Sequence, residues 1–163
     1  MSVTTAQDTV STTLTIAASA ARVFAVLADP TTHAAIDGTG WVREAPDPAP
    51  LAEVGQLFRM DMYHSAHTVG DYQVVNKVTV FDATRAIGWL TGYEKADGEL
   101  VFGGWQWRYD LVPLSSDEAA VTLTYDWSAV PQEGRELIQF PPFGPDHLAN
   151  SLRHLATLTG ATR

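Results

Sequence analysis

The sequence predicts an α+β fold in which a curved antiparallel β-sheet wraps around a long C-terminal α-helix, with two short helices after the first strand. Two observations predict it. From Leu51 onward, large apolar and small polar residues alternate, most clearly in Trp105-Gln106-Trp107-Arg108-Tyr109-Asp110-Leu111 and Val121-Thr122-Leu123-Thr124-Tyr125-Asp126-Trp127. That period of two marks strands with one wet and one buried face. The chain closes on a leucine stripe at helical spacing, Leu148, Leu152, Leu155 and Leu158. Wrapping the sheet around that stripe is the economical way to bury both apolar faces.

In chain order, residues 1–9 read as a polar tail, and residues 10–160 as one domain. Thr9 to Ile16 is the first strand, with Val10, Leu14 and Ile16 as its apolar positions. Ser19 stands where a helix N-cap should, and Val23, Phe24 and Leu27 follow at helical spacing. Asp29-Pro30 stops that helix, because proline disfavours the helical region for its predecessor. Thr31 or Thr32 caps a second short helix through Ile36, ended by Asp37-Gly38-Thr39-Gly40. Pro46 to Pro50 is a loop. In the next strand Phe58, Met60, Met62 and His64 share one face, opposite Arg59, Asp61 and Tyr63. Tyr72 to Phe81 follows, with Val74, Asn76, Val78 and Val80 on one side, and Asp82 to Arg85 turns into Ile87 to Tyr93. Lys95 to Glu99 carries an Asp-Gly hairpin signal ahead of the two strands quoted above. Pro145 and Asp146 suit the start of the last helix, and Gly160 its end.

Composition narrows the function classes. The 163 residues are 45% hydrophobic and 18% charged, which fits one globular domain of ordinary size. The net charge of −9, with ten scattered basic residues, argues against a nucleic-acid surface and against docking on anionic membranes. There is no cysteine, so disulfides, thiolate catalysis and thiolate metal sites are excluded. Neither a secretory signal nor a bilayer-length apolar run is expected, and the expected address is the cytoplasm.

Four of the five tryptophans and all five tyrosines fall between Tyr63 and Trp127. A solid core favours Val, Ile and Leu, whereas Tyr and Trp carry a polar atom that needs a partner when buried. A sheet face tiled with them fits a concave surface that holds something.

The chain resembles the helix-grip superfamily of START-like, Bet v 1-like proteins (SRPBCC), in its polyketide cyclase/dehydrase-like branch. The residues that carry the resemblance are Ala20 to Pro30 after the first strand, Phe81 to Trp89, Trp107 to Pro113, Val121 to Trp127 and the leucine-striped last helix. The match spans roughly residues 10 to 160. It implies a hydrophobic cavity for lipids, sterols, polyketides or hormone-like molecules. It carries over no catalytic residue, because the shared positions shape the fold.

The expected ligand site draws on Met60, Met62, His64, Asn76, Trp89, Trp107, Tyr109, Tyr125 and Trp127 from the sheet, and His147 and Ser151 from the last helix. Asn76 and His64 are polar groups on otherwise apolar faces, suited to orienting a ligand, and His64 could also move a proton. Met60 and Met62 bring flexible thioethers that adapt to ligand shape. His147, Ser151 and His154 lie near one stripe, but the two histidines are about 10 Å apart along the axis and have no carboxylate beside them, so no metal site is expected. His33 and Asp37 read as a solvated turn. No cofactor is expected. The expected partner is a hydrophobic small molecule, with no nucleic acid and no membrane insertion. The leading function is binding of an aromatic or polycyclic, polyketide- or lipid-like molecule. The alternatives are a cyclase or dehydratase acting on a poly-ketone through His64, Asn76, Tyr109 and Tyr125, and a protein-interaction module using the Phe140-Pro141-Pro142-Phe143 segment.

Overall fold

The computed structural model describes residues 3–37, 40–64 and 70–160. Seven antiparallel strands form one sheet: β1 (Val3–Ala6), β2 (Thr9–Ile16), β3 (Leu57–Tyr63), β4 (Asp71–Asp82), β5 (Ala86–Glu94), β6 (Leu100–Ser115) and β7 (Glu118–Asp126). Their spatial order is β1-β2-β7-β6-β5-β4-β3. Helices α1 (Ala20–Leu27) and α2 (His33–Ile36) follow β2. Helix α3 (Gln132–Leu137) follows β7, and α4 (His147–Thr159) closes the chain. No helix among the described residues is long and apolar enough to cross a membrane.

Much of this follows from local chemistry. The Ser19 hydroxyl accepts the Arg22 N–H at 3.1 Å and starts α1. Asp29 caps the 3₁₀ turn Pro30–Thr32 by accepting the Thr31 N–H at 2.9 Å. Gly160, at φ 110°, ends α4 in the left-handed conformation that suits glycine. The last helix starts at His147, with Asp146 at the N-cap, slightly inside the expected Pro145. Leu148, Leu152 and Leu155 are buried as the stripe requires, and they join Val23, Leu27, Ile87, Val121 and Leu123 in one core.

Three features differ from expectation. Of the expected polar tail, residues 1–2 lie outside the described residues, whereas Val3–Ala6 pairs along β2. The turn between them is made by Asp8, which adopts φ 65°; aspartate tolerates that region better than most residues. Second, a bulge in β4 places Val78 opposite Trp89 but Val80 opposite Gly88, leaving Thr79 as the extra residue. The bulge switches parity. Val80 therefore turns away from the core, and Phe81 packs edge-on against Phe24 at 5.3 Å. Third, α3 carries no hydrophobic stripe and buries no residue, so periodicity gave no sign of it. Arg135 holds it in place, donating to Val130 O at 2.9 Å, Trp127 O at 2.9 Å and Asp8 Oδ1 at 3.0 Å.

A larger irregularity bends β6. Leu90 faces Gln106 and Gly92 faces Phe102, so Gly103, Gly104 and Trp105 together oppose the single residue Thr91. Gly104 adopts φ 103°, and a Cβ there would stand 2.5 Å from Ala129 O. Such bulges bend and twist a strand. Here the bend falls beside Trp105 and Trp107.

Candidate functional site

Helix α4 packs on β2 and β7 of the sheet and against α1 and α2. Helix α1 packs on β5 and β6, His33 of α2 packs on Phe58 and Trp89, and the connection from Leu137 to Phe143 lines the space that is left. Bulky side chains on the concave face hold the covering elements away from the sheet, and a cavity of about 1080 Å³ remains. That is slightly above the roughly 300–1,000 Å³ typical of small-molecule sites.

Two aromatic clusters wall it. In the first, the Trp107 ring lies 4.6 Å from Tyr125 and stacks on Phe143 at 5.6 Å, while Phe143 packs on His147 at 4.6 Å. In the second, His33 stacks on Trp89 at 5.0 Å and meets Phe58 edge-on at 5.7 Å. Trp105 lies between β6 and the covering connection, 5.9 Å from Phe140. It folds over Gly103, where a Cβ would come within 1.9 Å of the indole. Both Trp105 and Gly103 line the cavity.

The polar groups are few and convergent. Asn76 is buried, and its Oδ1 accepts the Thr91 hydroxyl at 2.7 Å. His33 Nε2 lies 2.9 Å from Leu27 O. It therefore carries the proton of a neutral ring and leaves Nδ1 as an acceptor. Burial lowers the His33 pKa, against the opposing pull of that hydrogen bond and of Asp29. His147 is also lowered by burial, with His154 adding and Asp37 opposing. Its Nδ1 is enclosed without any hydrogen-bond partner. Burial pushes both the Tyr109 and Tyr125 hydroxyls well above the ordinary phenol range, and Asp37 adds to the shift of Tyr109. Among the described residues no protein group hydrogen-bonds the Tyr109, Tyr125 or Ser151 hydroxyls, although all three residues line the cavity. Buried polar atoms in folded proteins are normally satisfied.

Asp37 lies at the end of α2, where its Oδ2 accepts the Val42 N–H at 3.2 Å. Its charge reaches Tyr72, Tyr109 and His147. No group of three or more His, Asp or Glu among the described residues could hold a metal ion.

No protein-family model matches the chain. A curated relative, the uncharacterized protein Rv0088 of Mycobacterium tuberculosis, is 29% identical over 153 residues, which is 92% of this chain. The chain spans 62% of that relative's length. Among solved structures, protein Ms6760 from Mycobacterium smegmatis superposes with a TM-score of 0.70 at 15% identity, covering 100% of this chain and 99% of its own. Norcoclaurine synthase from Thalictrum flavum, in complex with dopamine and hydroxybenzaldehyde, gives 0.61 at 16% identity, covering 95% of this chain and 87% of its own. The chain has the Bet v 1-like, helix-grip fold. Likeness at this level of identity fixes architecture and leaves function to the site.

Within the helix grip, the expected site residues fall into two groups. Met60, Met62, His64, Asn76, Trp89, Trp107, Tyr109, Tyr125, His147 and Ser151 all line the cavity. Trp127 does not. It lies one residue beyond the end of β7, where its N–H donates to Asp8 O at 2.9 Å, and it is buried beside Tyr125 at 5.8 Å. Parity alone placed it on the wall, but the strand ends before it. His154 turns from the cavity and its Nδ1 meets Ile36 O at 3.1 Å, tying α4 to α2.

The expected solvated turn at His33 and Asp37 is overturned, since His33 is buried and both residues line the cavity. The Gly38 and Thr39 positions of that turn lie outside the described residues. The i, i+4 spacing of His33 and Asp37 was visible, but α2 is too short for periodicity to show which way it faces. Trp105 shares the parity of Trp107, so the alternating pattern could have found it. The contribution of the Leu137–Phe143 connection had no signal of its own.

Proposed function

We propose that the protein binds a hydrophobic small molecule, aromatic or polycyclic and of polyketide- or lipid-like size, in the cavity between sheet and helix. The observation that carries this reading is a cavity of about 1080 Å³ with aromatic walls, lined also by Asn76, Ser151 and a His147 whose enclosed Nδ1 has no hydrogen-bond partner. Apolar walls supply most of the affinity in such sites, and a few polar groups fix orientation. Norcoclaurine synthase, with the same fold, accommodates dopamine and hydroxybenzaldehyde, both small aromatic molecules. The test is native mass spectrometry for a co-purifying ligand, together with titration of flat polycyclic phenols. Binding should quench emission from Trp89 and Trp107 and raise the melting temperature. The absence of both effects across a hydrophobic library would remove this reading.

One observation favours a second reading, a cyclase or dehydratase acting on a poly-ketone. Asp37, Tyr109 and His147, three side chains capable of acid–base chemistry, line the same cavity. Aldol closure and loss of water need substrate folding and a general acid or base more than a strong nucleophile. Asp37→Asn, His64→Ala or Asn76→Ala would then retain ligand binding while losing turnover of a poly-ketone. Equal loss of binding and turnover would return these residues to a binding role.

A further inference from the structure

The connection between α3 and α4 reaches the sheet through two rings. Most of it is exposed, including Gln139, Pro142, Gly144, Pro145 and Asp146. Its backbone bonds stay within its own stretch of chain, Ile138 N–H to Gly134 O at 3.0 Å and His147 N–H to Gly144 O at 3.3 Å. Among the described residues no hydrogen bond joins residues 139–146 to the sheet. Phe140 meets Trp105 at 5.9 Å. Phe143 enters a seat made by three cavity-lining side chains. It stacks on Trp107 at 5.6 Å and 27°, meets Tyr125 edge-on at 5.0 Å and 74°, and lies 4.6 Å from His147.

We propose that Phe143 holds the place of a ligand's aromatic ring: a planar aromatic ring takes its seat between Trp107, Tyr125 and His147, and Phe143 swings outward while Phe140 keeps the connection on Trp105. This deepens the binding reading above and rests on it. The seat suits a flat ring, because offset-stacked and edge-to-face contacts both depend on the ring quadrupole. A ligand ring there makes the contacts that Phe143 gives up, so the exchange is nearly even within the seat. The rest of the ligand then adds apolar burial in the cavity, which tips the balance. Outward there is room for the swing: a Cβ at Gly144 would meet nothing within 4 Å, and Pro142 on the other side is exposed. The seat as Phe143 fills it also leaves His147 Nδ1 enclosed without a hydrogen-bond partner, which is unfavourable for a buried polar atom. A site whose binding-competent form is a minor population shows an affinity reduced by that fraction. Removing the Phe143 ring should therefore tighten binding, the opposite of what truncating a fixed wall residue does.

The sign of that effect is read by titrating 2-naphthol into the parent chain and into Phe143→Ala by calorimetry. Phe143→Ala should bind roughly tenfold more tightly. Equal or weaker binding by the variant would overturn the placeholder and leave the binding reading standing. A second measurement needs no variant. In the parent chain, the NMR proximity signals (NOEs) between the Phe143 and Trp107 rings should disappear at saturating 2-naphthol, replaced by signals from naphthol protons to Trp107 and Tyr125. A Phe143–Trp107 signal that persists in the saturated complex would overturn the proposal even if Phe143→Ala fails to fold. If neither 2-naphthol nor larger neutral polycycles bind the parent chain, the binding reading itself falls, and the placeholder with it.

Discussion

His33 shows how one side chain links fold, site and solution behaviour. It is buried, stacked on Trp89 and hydrogen-bonded to Leu27 O, so the folded state disfavours its protonated form. His147 is disfavoured in the same sense. Both pKa values lie below the unfolded value of 6.5. Above that value neither state binds the proton, and the histidines contribute no pH dependence. Below it the unfolded chain takes up protons that the folded chain refuses, so stability falls on acidification until the folded values are reached. Each histidine that stays neutral contributes a slope of up to ~1.4 kcal/mol per pH unit. Urea melts from neutral to mildly acidic pH should show this loss, and His33→Gln should flatten it whatever it does to stability at neutral pH. An unchanged slope in the variant would mean that His33 protonates without cost in the fold.

Among the elements, α4 and α3 are held by opposite means. Helix α4 is a packing element. Leu152 is fully buried and does not line the cavity. Leu152→Ala therefore creates a new void instead of enlarging an existing one, and should cost ~2–5 kcal/mol in a urea or thermal melt. A loss below ~0.5 kcal/mol, within the range of a surface change, would place the helix outside the core. Helix α3 is held by hydrogen bonds, since it buries no residue and Arg135 joins it to Asp8, Trp127 and Val130. Its outer end carries Leu137 at 85% exposure, at the start of the connection that covers the cavity. Arg135→Ala should release that covering segment. Ligand affinity should then fall by roughly tenfold, about 1.4 kcal/mol, while the melting temperature moves little, because no core contact is lost. A large drop in melting temperature with unchanged affinity would assign Arg135 to global stability alone.

At the scale of the whole molecule, the cavity exists because α4 packs on β2 and β7 only, and aromatic side chains stand between the other strands and what covers them. Trp107 is central to that arrangement, touching Tyr125, Phe143 and His147 at once. Trp107→Ala should open the wall and abolish ligand-induced quenching and stabilisation. Asn76→Ala should weaken binding or change which ligands are preferred, because it removes a polar group and leaves the apolar wall intact. If Trp107→Ala binds a polycyclic phenol as the parent does, the ligand lies elsewhere.

The sequence by itself determined strands β2 to β7, the two ends of α4 to within two residues, and, away from the bulges, which sheet residues share a face, because each is written in local periodicity and in capping chemistry. Thr9–Ile16 begins and ends as β2 where its apolar pattern does, and Ser19 caps α1 through its own hydroxyl. Only the tertiary structure decided the rest. Trp127 has the parity of a wall residue, yet it sits behind the wall, because the strand stops at Asp126. Val80 has the parity of a core residue, yet it faces outward, because one extra residue at Thr79 reverses the alternation. Asp37, a carboxylate of the cavity wall, caps a four-residue helix whose direction is set by what it packs against: His33 on Trp89, and Ile36 O on His154 of α4. Periodicity records which side of an element is apolar. It does not record where elements separated by a hundred residues meet, and a cavity is made of those meetings.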